Sequence, residues 1–202
     1  QCWAQYSSYN PASSWAEVVT LSTFNSPQPY SGSNVLELYS ASGGTPADTL
    51  MAISPEFSDM TSNARQIKFQ VAAQTTTNTL MIGTTNSQNP GAPISWIDTL
   101  SNLTSAWQLV ILPLNSASGY NGTDKYIVFR HGLENTFSDV YIDDFVYEAI
   151  PACPQLTNIS QTSVGITTAS FSYNSNGNPV QYEWGPVGYT QGTGTVGTLP
   201  AG

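Results

Sequence analysis

Gln66-Ile67-Lys68-Phe69-Gln70-Val71-Ala72 alternates polar and apolar side chains with a period of two. Successive side chains of an extended strand point to opposite faces, so Ile67, Phe69 and Val71 share one face. Such alternation marks a strand buried on one side only. Similar runs lie on both sides of it. Residues 35–39, 79–83, 107–114, 125–130 and 140–148 are each rich in β-branched and aromatic side chains. Clusters of Gly, Pro, Asn and Ser separate them and mark turns. No long stretch carries apolar residues at helical spacing. Many short strands with turns between them predict an all-β chain folded as a β-sandwich.

The composition narrows the setting. Of 202 residues, 40% are hydrophobic and only 8% charged. Surface hydration therefore falls to neutral Ser, Thr, Asn, Gln and Gly, a pattern typical of extracellular β proteins. Four basic residues face thirteen acidic ones, for a net charge of −9. Arg65, Lys68, Lys125 and Arg130 cannot build the positive stripe that a phosphate backbone requires. Nucleic acid and anionic membrane surfaces are excluded as partners on that ground. No apolar run reaches the ~18 residues of a membrane span, so membrane insertion is not expected. Gln1-Cys2-Trp3 reads as the interior of a longer, multidomain chain whose targeting signal lies elsewhere. A mature start at Gln1 after processing is the other reading.

Several residues could carry chemistry. In a secreted chain the even cysteine count suggests a Cys2–Cys153 disulfide, worth about 4–5 kcal/mol for so long a loop. Two buried thiols are the alternative. Asp143-Asp144 is the sharpest feature. On a regular strand the two carboxylates face apart and cannot share a proton, and a cation would relieve the inward one. Hard cations such as calcium prefer oxygen ligands. The other reading is a strand-end pair bonded to backbone N–H groups. His131 is the single histidine. With no nucleophile motif and too few His or Cys for zinc, it reads as a structural, hydrogen-bonding side chain. No catalytic residues are expected. Trp3, Trp15 and Trp107 are expected between the sheets. Tyr9, Trp96 and Tyr120, placed on loops, are the candidates for an exposed ligand-binding surface.

The segment Ile150-Pro151-Ala152-Cys153-Pro154 reads as a boundary stiffened by proline. Three further short strands follow, at residues 156–160, 169–173 and 180–184.

Segments in order then carry a resemblance. They are Cys2-Trp3, Tyr30-Ser31-Gly32-Ser33, Met51-Ala52-Ile53-Ser54-Pro55-Glu56-Phe57, Ile67–Val71, Trp107, residues 126–131 and Tyr141-Ile142-Asp143-Asp144-Phe145. Together they resemble the MAM-like jelly-roll domain, also called choice-of-anchor or cleaved-adhesin domain, of secreted Bacteroidetes-type proteins. Residues 182–195, from Tyr182-Glu183-Trp184-Gly185-Pro186 onward, are similar to a phrase of fibronectin type III modules in such proteins. The expected fold is thus a jelly-roll over residues 1–150, followed over 151–202 by the first half of an immunoglobulin-like fibronectin type III sandwich. Ala169-Ser170-Phe171-Ser172-Tyr173 stands where that module carries a Trp.

The resemblance implies a non-catalytic adhesion or binding segment of a large secreted or cell-surface bacterial protein, exported by the type IX route. Its partner would be a glycan or a surface protein of a host or neighbouring cell. A carbohydrate-binding accessory module of a secreted hydrolase, or a spacer in a stalk, are the alternatives. It also implies structural calcium at Asp143 and Asp144, although Tyr6-Ser7-Ser8-Tyr9-Asn10-Pro11 replaces the acidic first loop. Asp48-Thr49-Leu50 and Asp98-Thr99-Leu100 resemble O-glycosylation acceptors, at Thr49 and Thr99.

Overall fold

Alternation becomes two antiparallel sheets in the computed structural model. It describes residues 3–8, 14–21, 27–41, 48–74, 78–133, 137–151, 157–164, 169–174, 180–184 and 195–199. The chain divides into two compact units, Gln1–Ala149 and Ile150–Gly202.

The first unit is a jelly-roll β-sandwich. One sheet runs β1 (Ala4–Ser7), β4 (Leu50–Ile53), β9 (Tyr126–His131), β6 (Asn78–Thr85) and β7 (Ile94–Leu103) in spatial order. The other runs β2 (Trp15–Thr20), β3 (Asn34–Ser40), β10 (Ser138–Ala149), β5 (Arg65–Ala73) and β8 (Gln108–Leu114). Among the described residues of this unit, only β2–β3 and β6–β7 are consecutive strands that pair. Every other connection within the unit crosses between the sheets.

The core lies between them. Ile67, Phe69, Val71, Leu36, Leu38, Val140 and Ile142 come from one sheet and Leu50, Leu80, Ile82, Ile127 and Phe129 from the other. Phe129 sits at the centre, edge-on to Phe69 at 5.0 Å and stacked with Trp3 at 5.7 Å. Truncating a buried Phe of this kind to Ala costs about 3–5 kcal/mol.

Two of the three tryptophans expected between the sheets lie elsewhere. Trp3 packs on the core. Trp15 opens β2 on the outward face, because Ala16 takes the inward position beside Leu38. Trp107 precedes β8, lies edge-on to Tyr30 at 6.2 Å, and donates its Nε1–H to Gln28 O at 2.8 Å. Trp96 is not on a loop. It lies within β7, whose alternation is masked in the sequence by two register shifts against β6.

In the second unit, β11 (Thr157–Val164) pairs with β12 (Ala169–Asn174), and β13 (Val180–Trp184) with β14 (Thr195–Leu199). Cys2 and Cys153 lie outside the described residues.

Candidate ligand-binding face

The strand register lays out the outward face of the second sheet. Trp15 pairs with Tyr39, and Tyr39 with Asp139. One step along, Glu17 pairs with Glu37, Glu37 with Tyr141 and Tyr141 with Ala72. Farther on, Asp143 pairs with Gln70 and Gln70 with Leu109, while Lys68 lies between Val146 and Ile111. Each of these alternates with a core residue on its own strand, which is why the sequence places them outward.

The first part of this face is a cluster of acids under aromatics. Glu37 is 8% exposed, Asp139 5% and Tyr141 2%. Trp15 donates its Nε1–H to Glu37 Oε2 at 2.6 Å and packs on Tyr39 with ring centroids 4.3 Å apart. Tyr141 lies opposite Glu37 across the β3–β10 ladder and two residues from Asp139 on the same face. Burial pushes the Glu37 carboxyl up, against the bonds from Trp15 and Tyr141, and Glu17 adds repulsion. Burial, followed by the charge of Glu37, pushes Asp139 up to about 6. Burial and the two acids also push the Tyr141 phenol well above its usual range.

The second part is an open groove of about 390 Å³ lined by Tyr30, Lys68, Phe69, Gln70, Leu109, Asp144 and Val146. Tyr30 and Leu109 are about half exposed, at 52% and 48%. A flat ring and apolar side chains thus stand beside an ammonium, an amide and a carboxylate. That mixture suits a ligand with both apolar and hydroxylic faces.

Between the two parts lies Asp143-Asp144, and the structure corrects its reading. The pair does not face apart. β10 carries a bulge here, so that three steps from Asp143 to Val146 match two on β5. Asp144 takes φ 48°, a left-handed conformation that Asp tolerates better than most residues. The bulge turns both carboxylates toward Ser31. Asp143 Oδ2 accepts from Ser31 N–H at 3.0 Å, Asp143 Oδ1 from Asp144 N–H at 2.7 Å, and Asp144 Oδ1 from the Ser31 hydroxyl.

These donors fix the fit for calcium. Ca²⁺ takes roughly 6–8 oxygen ligands. Asp143 already accepts an N–H group on each oxygen. No group of three His, Cys, Asp or Glu gathers among the described residues. Among the described residues two carboxylates, each already bonded, fall short of that number, and the backbone supplies the compensation expected of the ion.

The remaining sequence candidates scatter. Tyr120 was expected to be exposed and is buried, at 4%. Its hydroxyl donates to Asp124 O at 2.6 Å, and burial, then Asp124, pushes it up to about 12. Trp96 is 37% exposed, but on the opposite sheet, with the Arg130 guanidinium 5.8 Å over its ring. Tyr9 lies outside the described residues. Thr99 is exposed on β7 and Thr49 half-buried, its N–H bonded to Ser8 Oγ at 2.9 Å. His131 is fully buried. Its Nδ1 accepts from Leu133 N–H at 2.8 Å, which places the ring proton on Nε2, 3.3 Å from Ser138 Oγ. That is a structural histidine. Sequence reasoning missed Trp15, Glu37, Tyr39, Asp139 and Tyr141. The available signal was phase: each lies at an odd number next to an apolar residue at an even one, Ala16, Leu36, Leu38, Val140 or Ile142.

No protein-family model matches the chain, and no curated protein does. Solved structures do match. One is a cleaved adhesin domain of Lys-gingipain from Porphyromonas gingivalis, at 13% identity, 73% of this chain, 90% of that chain and a TM-score of 0.55. A second cleaved adhesin domain of Lys-gingipain matches at 16% identity, over 72% of this chain and 89% of the other, with a TM-score of 0.53. A family 30 carbohydrate-binding module of a cellulosomal cellulase of Clostridium thermocellum matches at 12% identity, 74% of this chain, 93% of that chain and a TM-score of 0.50. The chain shares their fold. At these identities the likeness extends to architecture and not to any side chain.

Proposed function

We propose that the first unit is a non-catalytic, extracellular binding module that takes a neutral glycan on the outward face of its second sheet. The observation that carries this reading is the groove of about 390 Å³ lined by Tyr30, Leu109, Lys68, Gln70 and Asp144, on the sheet face that also carries the Trp15–Tyr39 pair. Rings stack on the apolar faces of sugars, and Lys68, Gln70 and Asp144 answer hydroxyl groups. Glu17, Glu37, Asp139, Asp143 and Asp144 make the face acidic, so it repels uronates and sulfated chains. Three similar folds, two named as adhesin domains and one as a carbohydrate-binding module, support the reading. Absence of catalysis fits the buried His131, whose ring atoms are committed to Leu133 and Ser138.

A glycan array followed by calorimetry tests it. The expected result is binding to one or more neutral polysaccharides, weakened about tenfold, some 1.4 kcal/mol, by Trp15→Ala or Tyr30→Ala. Retention of full affinity in both variants would move the site off this face. Failure to bind any glycan would favour a spacer.

A further inference from the structure

Tyr30 is the exposed ring of the groove, yet the chain on both sides of it is tied down. Two residues before it, Gln28 O accepts from Trp107 Nε1–H at 2.8 Å. The residue after it, Ser31, is held by the β10 bulge. Its N–H donates to Asp143 Oδ2 at 3.0 Å and its hydroxyl to Asp144 Oδ1. Pro27 and Pro29 restrict the backbone on the approach, and Gly32, at φ 59°, lets the chain turn from there into β3. Trp107 also meets the Tyr30 ring itself, edge-on at 6.2 Å.

β10 is the middle strand of its sheet, and a left-handed Asp there costs free energy that regular pairing would spare. On an unbulged strand neighbouring side chains face apart, so only one of the two carboxylates could reach Ser31. The bulge brings both to one residue. We propose that Ser31, with Asp143 and Asp144 beneath it, and Trp107, acting through Gln28, are positioning residues that hold the Tyr30 ring at the groove before any ligand arrives. What this arrangement serves rests on the glycan reading of the groove. The arrangement itself belongs to the ligand-free domain.

The gain is one of preorganisation. A ring that is 52% exposed loses rotamer and backbone freedom when a sugar stacks on it, and that loss subtracts from affinity. Anchors on both sides of Tyr30 take the loss on folding instead. Neither Ser31, Asp143 nor Trp107 lines the groove, so each influences a bound sugar through the Tyr30 segment. Asp144 does both, lining the groove and accepting from Ser31. Ser31 and Asp144 are exposed, so removing the Ser31 hydroxyl leaves no buried group unbonded and separates positioning from stability.

The test begins with the ligand-free 202-residue chain. Proton NOEs between the Tyr30 and Trp107 rings are expected in the wild type. Ser31→Ala should lose most of their intensity at an unchanged thermal midpoint, and Ser31→Thr, which keeps the hydroxyl, should restore it. NOEs of full strength in Ser31→Ala overturn the proposal, whatever the protein binds. Calorimetry with the neutral polysaccharide bound most tightly on the glycan array then reads the consequence. Ser31→Ala should weaken binding about threefold in the wild-type background and not at all in the Tyr30→Ala background. An equal loss in both backgrounds means that Ser31 does not act through Tyr30, and overturns the positioning role. Should the wild type bind no glycan, the glycan reading fails, and the NOE comparison alone decides whether Ser31 holds the ring.

Discussion

The two outward faces of the sandwich solve the same problem in opposite ways. On the first sheet, Met51, Ile53 and Val128 are at most 2% exposed and pack with Ala4, Ile94 and Tyr126. That outer layer is apolar and closed, like a second core. Gly83 makes room for it: a Cβ there would meet Ile94 Cγ2 at 2.7 Å and Trp96 Cε3 at 2.9 Å. On the second sheet, Glu37, Asp139 and Asp143 are almost as deeply buried, yet they are acids. An apolar layer needs no explanation beyond its own burial. Buried acids oppose folding unless each is bonded, so their presence on one face and not the other marks where the molecule does something besides fold.

The comparison can be broken by exchanging the two chemistries. Val128→Asn introduces an unbonded amide into the apolar layer, and calorimetry is expected to show a loss of about 3 kcal/mol, near 10 °C in midpoint. The polar substitution Asp139→Asn on the other face should raise the midpoint at neutral pH instead. Equal signs would erase the distinction. Gly83→Val sharpens it: overpacking beneath Trp96 should cost about 1–3 kcal/mol by denaturant titration while glycan affinity is unchanged. A drop in affinity would show that the faces are coupled. The smallest effect belongs to the Ser31–Asp143–Asp144 bulge. Adding a calcium chelator should move the midpoint by less than about 1 °C, since N–H donors already satisfy Asp143. A larger shift would restore the cation to the site.

Much of the fold was legible in the sequence because strand alternation has a simple physical cause. Residues 66–72 gave β5 almost to its ends, and residues 35–39 gave β3. β2 and β7 were not read. Trp15 looked like core because aromatics usually are, and only its pairing with Tyr39 reveals the outward phase. The site was less legible still. Glu37 in Val-Leu-Glu-Leu-Tyr looks like any solvated acid, because exposure depends on what lies on the neighbouring strands. Asp139 and Tyr141 meet it only through long-range pairing, which no local pattern records. The bulge did leave a trace. The core-packed residues of β10 sit at even numbers through Ile142 and at odd numbers from Phe145, and that change of phase at Asp144 is the extra residue.

That extra residue also leaves this strand two ways to change over generations. Substituting Asp144 alters one turn and one bond to Ser31. Deleting it would straighten β10 and leave Phe145 and Tyr147 facing the sandwich, because Asp143 would still pair with Gln70 and Val146 with Lys68. Loss of this residue keeps the phase on both sides of it, and related chains should vary here by a one-residue gap as well as by exchange of letters.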